Sequence, residues 1–583
     1  MERGKLMSYK NKYNLWITSS SIDEETKEEL KSIEAEKELE DRFYKDLEFG
    51  TGGLRGVIGA GSNRLNIYTV GKATQGFANY LNNHYENPRV AIAYDSRHMS
   101  REFSEYTARV LAANNVIVYL YDKLTPTPML SYAVRELKCQ GGIVITASHN
   151  PKEYNGYKVY DSNGCQVTDV PASEIIAFVN NVASFEDVLV MDREEAIKKD
   201  LINYIGEEIY TSYVERVKEL TIRRELVKNH GEDLNIIYTP IHGSGNIPIR
   251  RVLSELSYKN VVVVKEQELP DGDFPTAPYP NPEDSRVFKL ALDMAKEVNP
   301  DIIIGTDPDC DRIGVVVKDD KGEYRVLTGN QVGVLLSHYI VSSLKERNEL
   351  SKDGTIIKTI VSTDMIKPIC KDFGVQLKEV LTGFKYIGEL IAAFEENPDE
   401  NKFLLGFEES YGYLAGDFVR DKDAVIAATL ICEMTLYYKS IGKTLYEGLT
   451  LLYNTYGYYK EKLVSVELKG KEGQEKIKEI IENFRNEDIR NFGEYKVSFK
   501  EDYKLGVRIG IEDFSRETIN LPKSNVIKFI FSNGCYFVVR PSGTEPKMKI
   551  YIGVTGTDNE SAEGNLAYLE DKVLSSINKF LPN

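Results

Sequence analysis

The sequence predicts a chain of several α/β domains, and three observations carry that prediction. At 583 residues it exceeds what one hydrophobic core holds, while 42% hydrophobic and 28% charged residues is the composition of a globular protein. Short apolar runs alternate with amphipathic stretches in the βαβ rhythm of a parallel sheet. Three times an apolar run ends in a polar loop, at Ser148, at Asp307, Asp309 and Asp311, and at Glu408 and Ser410, which reads as a divergent repeat of architecture.

Taken in order, Ser21 with Glu24 resembles a capping box, and residues 23–47, rich in Glu and Lys, read as one or two mostly solvated helices. Residues 50–56, GTGGLRG, read as a glycine-rich turn that lets backbone approach a ligand while Arg55 supplies a planar cation. Residues 89–93 predict a strand, followed by a polar turn, a helix to about Ala113 and a strand at Val116. The run Gly141–Ile145 predicts a buried strand that His149, Asn150 and Pro151 cannot continue, because proline lacks an N–H and restricts its neighbour. A second series has strands at 234–238, 261–264 and 302–306, and a third has a helix after Gly329 and strands at 356–361 and 403–405. The last part differs: a charged helix at 474–484 precedes a β-hairpin about Ser532, Asn533 and Gly534, then the loop from Arg540 and a strand at 548–553.

Composition excludes several roles. With 73 basic against 90 acidic residues, net −17, the chain is ill-suited to a nucleic-acid partner, though a local cluster of cations can still hold a small anion. Apolar runs are strand length, which predicts no membrane span, and residues 1–16 lack the apolar centre of a secretion signal. Six cysteines without a CxxC pair predict reduced thiols and a cytoplasmic protein.

Each polar loop suggests a chemistry. Ser148 lies in a turn at a strand's carboxyl end, the edge where α/β sheets bind ligands, with Lys158 ten residues on after a turn at Asn155 and Gly156. Ser, Asn and Pro are also ordinary turn residues. Aspartates at 307, 309 and 311 would repel one another without a counter-ion. An EF-hand fails, because Arg312 stands where glycine is required and Lys318 where the bidentate Glu belongs, so Mg²⁺ is the expected ion and an acidic surface turn the alternative. Arg540, Ser542, Gly543 and Thr544 hold the parts of a phosphate cradle, or of a hairpin exit. Glu408 and Ser410 suit sugar hydroxyls, or a helix cap.

TASHNP at 146–151, with NGYK at 155–158, resembles the phosphoserine loop of the α-D-phosphohexomutase superfamily, in its phosphoglucomutase/phosphomannomutase family. Further matches are the DxDxDR run ending at Arg312, GxExS at 406–410 and RxSGTEP at 540–546. The resemblance implies three related α/β domains of mixed sheets plus a smaller α+β C-terminal domain around a central cleft, with a phosphoserine domain at 1–207, a metal-binding domain at 208–322, a sugar-recognition domain at 323–456 and a phosphate-binding domain at 457–583. It implies phosphoryl exchange between Ser148 and glucose phosphates through glucose 1,6-bisphosphate, with Mg²⁺ held by Asp307, Asp309, Asp311 and the serine. Arg55, Lys158, His149 and Lys422 would be catalytic. Arg312, Gly383, Lys385, Glu408, Ser410 and the 540–544 loop would bind substrate. Some members have a histidine two residues after the serine of the sugar loop; this chain has Gly412, so Lys158, His149 and Lys422 share the acid–base role as candidates. Partners are expected to be small sugar phosphates, with no nucleic acid or membrane, and the protein a monomer or weak homo-oligomer. Mannose or pentose phosphates, and a Mg²⁺-dependent sugar phosphatase, are the alternatives.

Overall fold

The computed structural model describes residues 8–50, 52–397, 401–468, 470–541 and 547–579. The chain divides into two compact units. One comprises the chain up to Thr328 with Phe384–Gly406 and Ser410–Thr444; the other comprises Gly329–Gly383, Phe407–Glu409 and the chain from Leu445.

Two sheets organise the first unit. The first contains β1 (Gly53–Val57), β2 (Arg89–Tyr94), β3 (Ile117–Tyr121), β4 (Gly141–Ile145), β5 (Tyr154–Asp161) and β6 (Ile202–Ile205), in the order β1-β5-β4-β2-β3-β6. Strands β2, β3, β4 and β6 run parallel, whereas β5 returns antiparallel to β4 and β1 antiparallel to β5. The second contains β7 (Ile236–Thr239), β8 (Val261–Val263), β9 (Ile302–Thr306), β10 (Ile313–Lys318) and β11 (Tyr324–Leu327), in the order β11-β10-β9-β7-β8. Again strands β7, β8 and β9 are parallel, and β10 folds back antiparallel on β9. Both β4 and β9 are buried along their whole length, which is why they read as unbroken apolar runs. The loops that leave them are therefore hairpin loops on a rigid sheet edge.

In the second unit β12 (Gly354–Thr359) and β13 (Gln376–Val380) pair in parallel. The C-terminal segment forms a separate antiparallel sheet, in which strands Tyr458–Glu467 and Lys547–Gly556 are neighbours that pair along ten residues. Helices Gly470–Asn486 and Asn559–Asn578 cover it, with Ile480, Phe484, Phe529, Phe537, Leu569 and Val573 in the shared core.

Several local expectations are corrected. In the Gly-rich segment Gly52 is in a turn, but Gly53, Leu54, Arg55 and Gly56 are in β1, because β5 offers them a partner edge. Asn155 and Gly156 likewise lie inside β5, paired with Gly56 and Arg55, and form no turn. Glu408 ends strand Lys402–Glu408 instead of opening a loop. At the N-terminus Asp23, not Ser21, caps helix Glu24–Lys31, accepting the Thr26 N–H at 2.8 Å. The N-terminal helices are less solvated than their charge suggests. Trp16, Leu30 and Phe43 are buried in a cluster with Tyr68, the Trp16 ring standing edge-on to Phe43 and Tyr68.

Candidate active site

Ser148 sits three residues beyond β4 with φ +52°, a left-handed conformation for a non-glycine residue, and is 4% exposed. Its N–H donates to Thr146 Oγ1 at 2.7 Å. Its hydroxyl donates to Asp307 Oδ2 at 2.8 Å and lies 3.1 Å from His149 Nδ1. A serine and an aspartate 159 positions apart thus meet at the edges of two sheets.

The aspartate loop is the counterpart on β9. Each of Asp307, Asp309 and Asp311 is buried and offers one carboxylate oxygen, all within 4.8 Å of one another. Asp307 Oδ1 accepts the N–H groups of Asp311 and Arg312, at 3.1 and 3.0 Å, which holds the turn closed. Cys310 takes φ +53° at its tip. Burial and the two neighbouring carboxylates push Asp307 well above the usual range, and burial followed by Asp309 raises Asp311. Burial works to raise Asp309 too, but Lys158 and Lys422 outweigh it and hold that carboxyl well below its usual value. Asp309 Oδ1 and Asp311 Oδ1 are buried without a hydrogen bond among the described residues. Orphaned, converging carboxylate oxygens on a rigid turn fit a small divalent cation of the Mg²⁺ kind.

Lysines surround the triad. Lys158 Nζ from β5 lies 2.9 Å from Asp309 Oδ2 and 3.7 Å from Asp311 Oδ2; Lys422 Nζ lies 3.2 Å from Asp311 Oδ2 and 3.0 Å from Asp421 Oδ1. Burial would lower Lys158, yet Asp309 and Asp311 raise it above the ordinary lysine value, so its ammonium is charged. His149 is shifted the other way: burial, then the Arg312 and Arg55 charges, keep its imidazole neutral. Arg55 Nη1 reaches Asn150 Oδ1 at 3.4 Å, and Arg312 Nη1 bonds Glu283 Oε1 at 3.0 Å. The arrangement provides a hydroxyl nucleophile, a cation site and ammonium groups within one buried patch, the requirements of phosphoryl transfer.

Ser148, His149, Lys158, Lys422 and the three aspartates are thus together in the first unit, with Arg55 and Arg312 on its rim. Tyr411 and Gly412 adjoin the aspartate loop, since Ile313 N–H donates to Tyr411 O and Arg312 bridges Gly412, and Ser410 directly precedes them in the chain. Lys385 is elsewhere engaged, with Asp169 Oδ1 at 2.9 Å. Gly383, Glu408 and Arg540 belong to the second unit. Gly383 takes φ +120°, and Arg540 lies in strand Tyr536–Pro541 opposite Lys549. Ser542, Gly543 and Thr544 lie outside the described residues.

Four contributors escape motif reasoning. Thr127 donates its N–H to Asp309 O and its hydroxyl to Asp309 Oδ2, both at 2.9 Å. Tyr160 donates to Asp421 Oδ2 at 2.7 Å, and Asp421 in turn receives Lys422. Arg97 is buried behind the serine loop. The only trace of Thr127 in the sequence is the doubled Thr-Pro at 125–128 after β3, a strong chain-direction signal with no chemistry of its own.

Residues 46–185, 211–322, 328–456 and 463–565 match, in order, the family profiles for phosphoglucomutase/phosphomannomutase alpha/beta/alpha domain I, domain II, domain III and the C-terminal domain. The phosphoglucomutase of Staphylococcus haemolyticus is 38% identical over 515 residues, covering 88% of this chain and 91% of that protein. That of Staphylococcus saprophyticus is 36% identical over 544 residues, covering 93% and 96%. Among solved structures, a putative phosphomannomutase from Thermus thermophilus matches with a TM-score of 0.67 at 20% identity, covering 91% of this chain and 99% of its own. Parafusin from Paramecium in its open form matches with 0.67 at 18%, covering 92% and 96%. At those identities the structural likeness is one of fold. Four domain matches in sequence, with relatives more than a third identical over about nine-tenths of the chain, lead to one conclusion: the chain belongs to the phosphoglucomutase/phosphomannomutase family of enzymes.

Proposed function

We propose that this enzyme is a phosphoglucomutase, interconverting α-D-glucose 1-phosphate and glucose 6-phosphate through a phosphoserine at Ser148. The observation that carries the reading is the 2.8 Å bond from the Ser148 hydroxyl to Asp307, inside a triad of carboxylates with orphaned oxygens. In the forward direction the bond from phosphorus to Ser148 Oγ breaks as a bond to O6 of glucose 1-phosphate forms, and the O6 proton passes to a base. The resulting glucose 1,6-bisphosphate turns over and gives its 1-phosphoryl group to Ser148 Oγ, releasing glucose 6-phosphate. Nothing is oxidised or reduced, and the enzyme returns to its starting state.

Asp307, Asp309 and Asp311 would hold Mg²⁺ together with an oxygen of the phosphoserine. When bound, the ion neutralises phosphoryl charge. Lys158 reaches Asp309 and Lys422 reaches Asp311, so an ammonium can meet a phosphoryl oxygen beside the triad, and His149 Nδ1 is within reach of the serine oxygen. Arg55 and Arg312 border the patch and suit the substrate's phosphate. Glu408 and Ser410 are assigned to sugar hydroxyls, Gly383 and Lys385 to further substrate contacts, and Arg540 with Ser542, Gly543 and Thr544 to the phosphate that is not being transferred. The labour falls on segments 1–207, 208–322, 323–456 and 457–583 in the order serine, metal, sugar and phosphate. The enzyme acts on small sugar phosphates as a monomer or weak homo-oligomer, and six buried free thiols suit a reducing compartment such as the cytoplasm.

Ser148→Ala is the test. Conversion of glucose 1-phosphate, followed in an assay coupled to glucose 6-phosphate oxidation, should fall by at least ~10⁴-fold, since without the hydroxyl no covalent relay exists. Turnover within tenfold of the parent enzyme would end this reading. Release of inorganic phosphate in step with substrate loss would point to a phosphatase.

A further inference from the structure

Arg97 lies in the loop after β2, is 3% exposed, and directs both terminal nitrogens of its guanidinium at the backbone of the serine loop. Nη1 donates to the carbonyls of Pro151 and Tyr154 at 2.9 and 3.0 Å; Nη2 donates to Ser148 O at 2.6 Å and to Asn150 O. The Arg97 charge is balanced by Asp95, whose Oδ2 is 3.5 Å from Nε, and its face rests 5.1 Å from the Phe274 ring centroid. Asp95 is buried as well and accepts hydrogen bonds from Thr146 Oγ1 at 2.6 Å and Ser100 Oγ at 2.7 Å. Thr146 Oγ1 in turn receives the Ser148 N–H. Both backbone polar groups of Ser148 therefore end in one buried network, the N–H through Thr146 and the carbonyl through Arg97. That network can hold a non-glycine residue in the left-handed region, with its hydroxyl turned to Asp307.

The same job is done elsewhere by neutral groups. Ser244, after β7, donates its N–H and hydroxyl to Pro308 O at 2.8 and 2.9 Å, backing the aspartate loop. In the second unit the hydroxyls of Thr359, which ends β12, and Ser362, just beyond it, donate to Glu409 Oε2 at 3.0 and 3.4 Å. In each case the loop after the first strand of the parallel set braces the loop that carries chemistry. Of the three braces just described, Arg97 is the charged one.

We propose that Arg97, working through Asp95 and Thr146, is the positioning residue for phosphoryl transfer at Ser148. It touches neither the carboxylate triad nor the serine hydroxyl; it fixes the backbone from which that hydroxyl is aimed. A lysine at 97 keeps the charge but lacks the rigid fork that spans four carbonyls. The inference rests on Ser148 as the covalent relay.

The experiment measures labelling of Ser148 from glucose 1,6-bisphosphate carrying radioactive phosphorus, by rapid quench and peptide mapping, in the full-length parent, Arg97→Lys and Thr146→Val. Steady-state kcat and KM are measured alongside. A displacement of about 1 Å at the reacting atom costs on the order of 100-fold. Arg97→Lys should slow labelling and kcat together by that factor, with KM for glucose 1-phosphate within about threefold, the signature of positioning rather than binding. Thr146→Val, which leaves the Arg97 clamp in place, should slow both by at least about tenfold and supplies the answer if Arg97→Lys does not fold. Label on Ser148 at the parental rate in a folded variant would overturn the inference alone. No label on Ser148 in the parent would overturn the relay, and this inference with it.

Discussion

Ser148, Cys310 and Tyr411 adopt φ +52°, +53° and +64°, one in each loop that carries site residues, though none is glycine. A left-handed residue costs about 1 kcal/mol, and here it reverses the chain within a few residues of the strand so that side chains face the sheet edge. Where the chain approaches such a loop from behind, only glycine serves. A Cβ at Gly243 would stand 2.5 Å from Pro308 Cα and 2.8 Å from its carbonyl oxygen, both backbone atoms that cannot swing aside. Gly243→Ala should therefore push the aspartate loop outward. We expect a loss of ~1–3 kcal/mol in urea denaturation, with a Mg²⁺-induced rise in melting temperature smaller than the parent's; an unchanged urea midpoint and an unchanged response to Mg²⁺ would contradict the close-approach argument.

Among the elements, helix Ala424–Ser440 starts on one buried polar side chain. Asp423 caps it, accepting the N–H groups of Val425 and Ile426 at 2.9 Å each and the Tyr213 hydroxyl at 2.7 Å, and burial pushes its carboxyl up to about 7. The cap also fixes the chain that delivers Lys422 to Asp311, because Ala424 N–H donates to Cys310 O. Asp423→Ala loses a cap of about 1 kcal/mol and strands a buried Tyr213 hydroxyl at ~1–3 kcal/mol more. A combined loss of ~2–4 kcal/mol is expected, with Asp423→Asn retaining most of the stability; equal midpoints for the alanine variant and the parent would remove the cap from the account.

At the scale of the molecule, each unit holds a carboxyl pushed up to about 7, the buried Asp423 in one and the half-buried Glu461 in the other. Glu461 rises to about 7 because burial, and Asp364 beside it, outweigh the hydrogen bonds from Thr363 and Asn330 and the field of Lys358. Its folded value exceeds its unfolded one, so the folded protein binds the proton more tightly. The ionised form becomes a burden as pH rises from about 4.5 to about 7, and the burden is constant above that. Glu461→Gln should stabilise the second unit by ~1–3 kcal/mol at pH 8 and by several-fold less at pH 5, read as a shift in urea midpoint. A gain at pH 5 as large as that at pH 8 would rule out titration as the cause.

The strands that carry function were legible because β4 and β9 are buried on both faces and so are apolar from end to end, and the polar runs behind them stand out by contrast. Motif chemistry at Ser148 and at the aspartates was legible because each motif gathers its polar groups within a few residues, although the two motifs lie 159 positions apart. Other elements were not. Arg55 and Gly156 look like turn residues, and only pairing of β1 with β5 makes them strand. Ile313–Lys318 becomes the return arm of a hairpin through β9. Arg97 reads as one more polar turn residue until the fold buries it against four carbonyls 51 to 57 positions away. By itself the sequence determined which side chains carry the chemistry and which runs must be buried. Tertiary structure alone decided which buried charge meets which partner, because a polar group taken out of water must find its counterpart wherever the packing brings one, and that distance along the chain leaves no local signature.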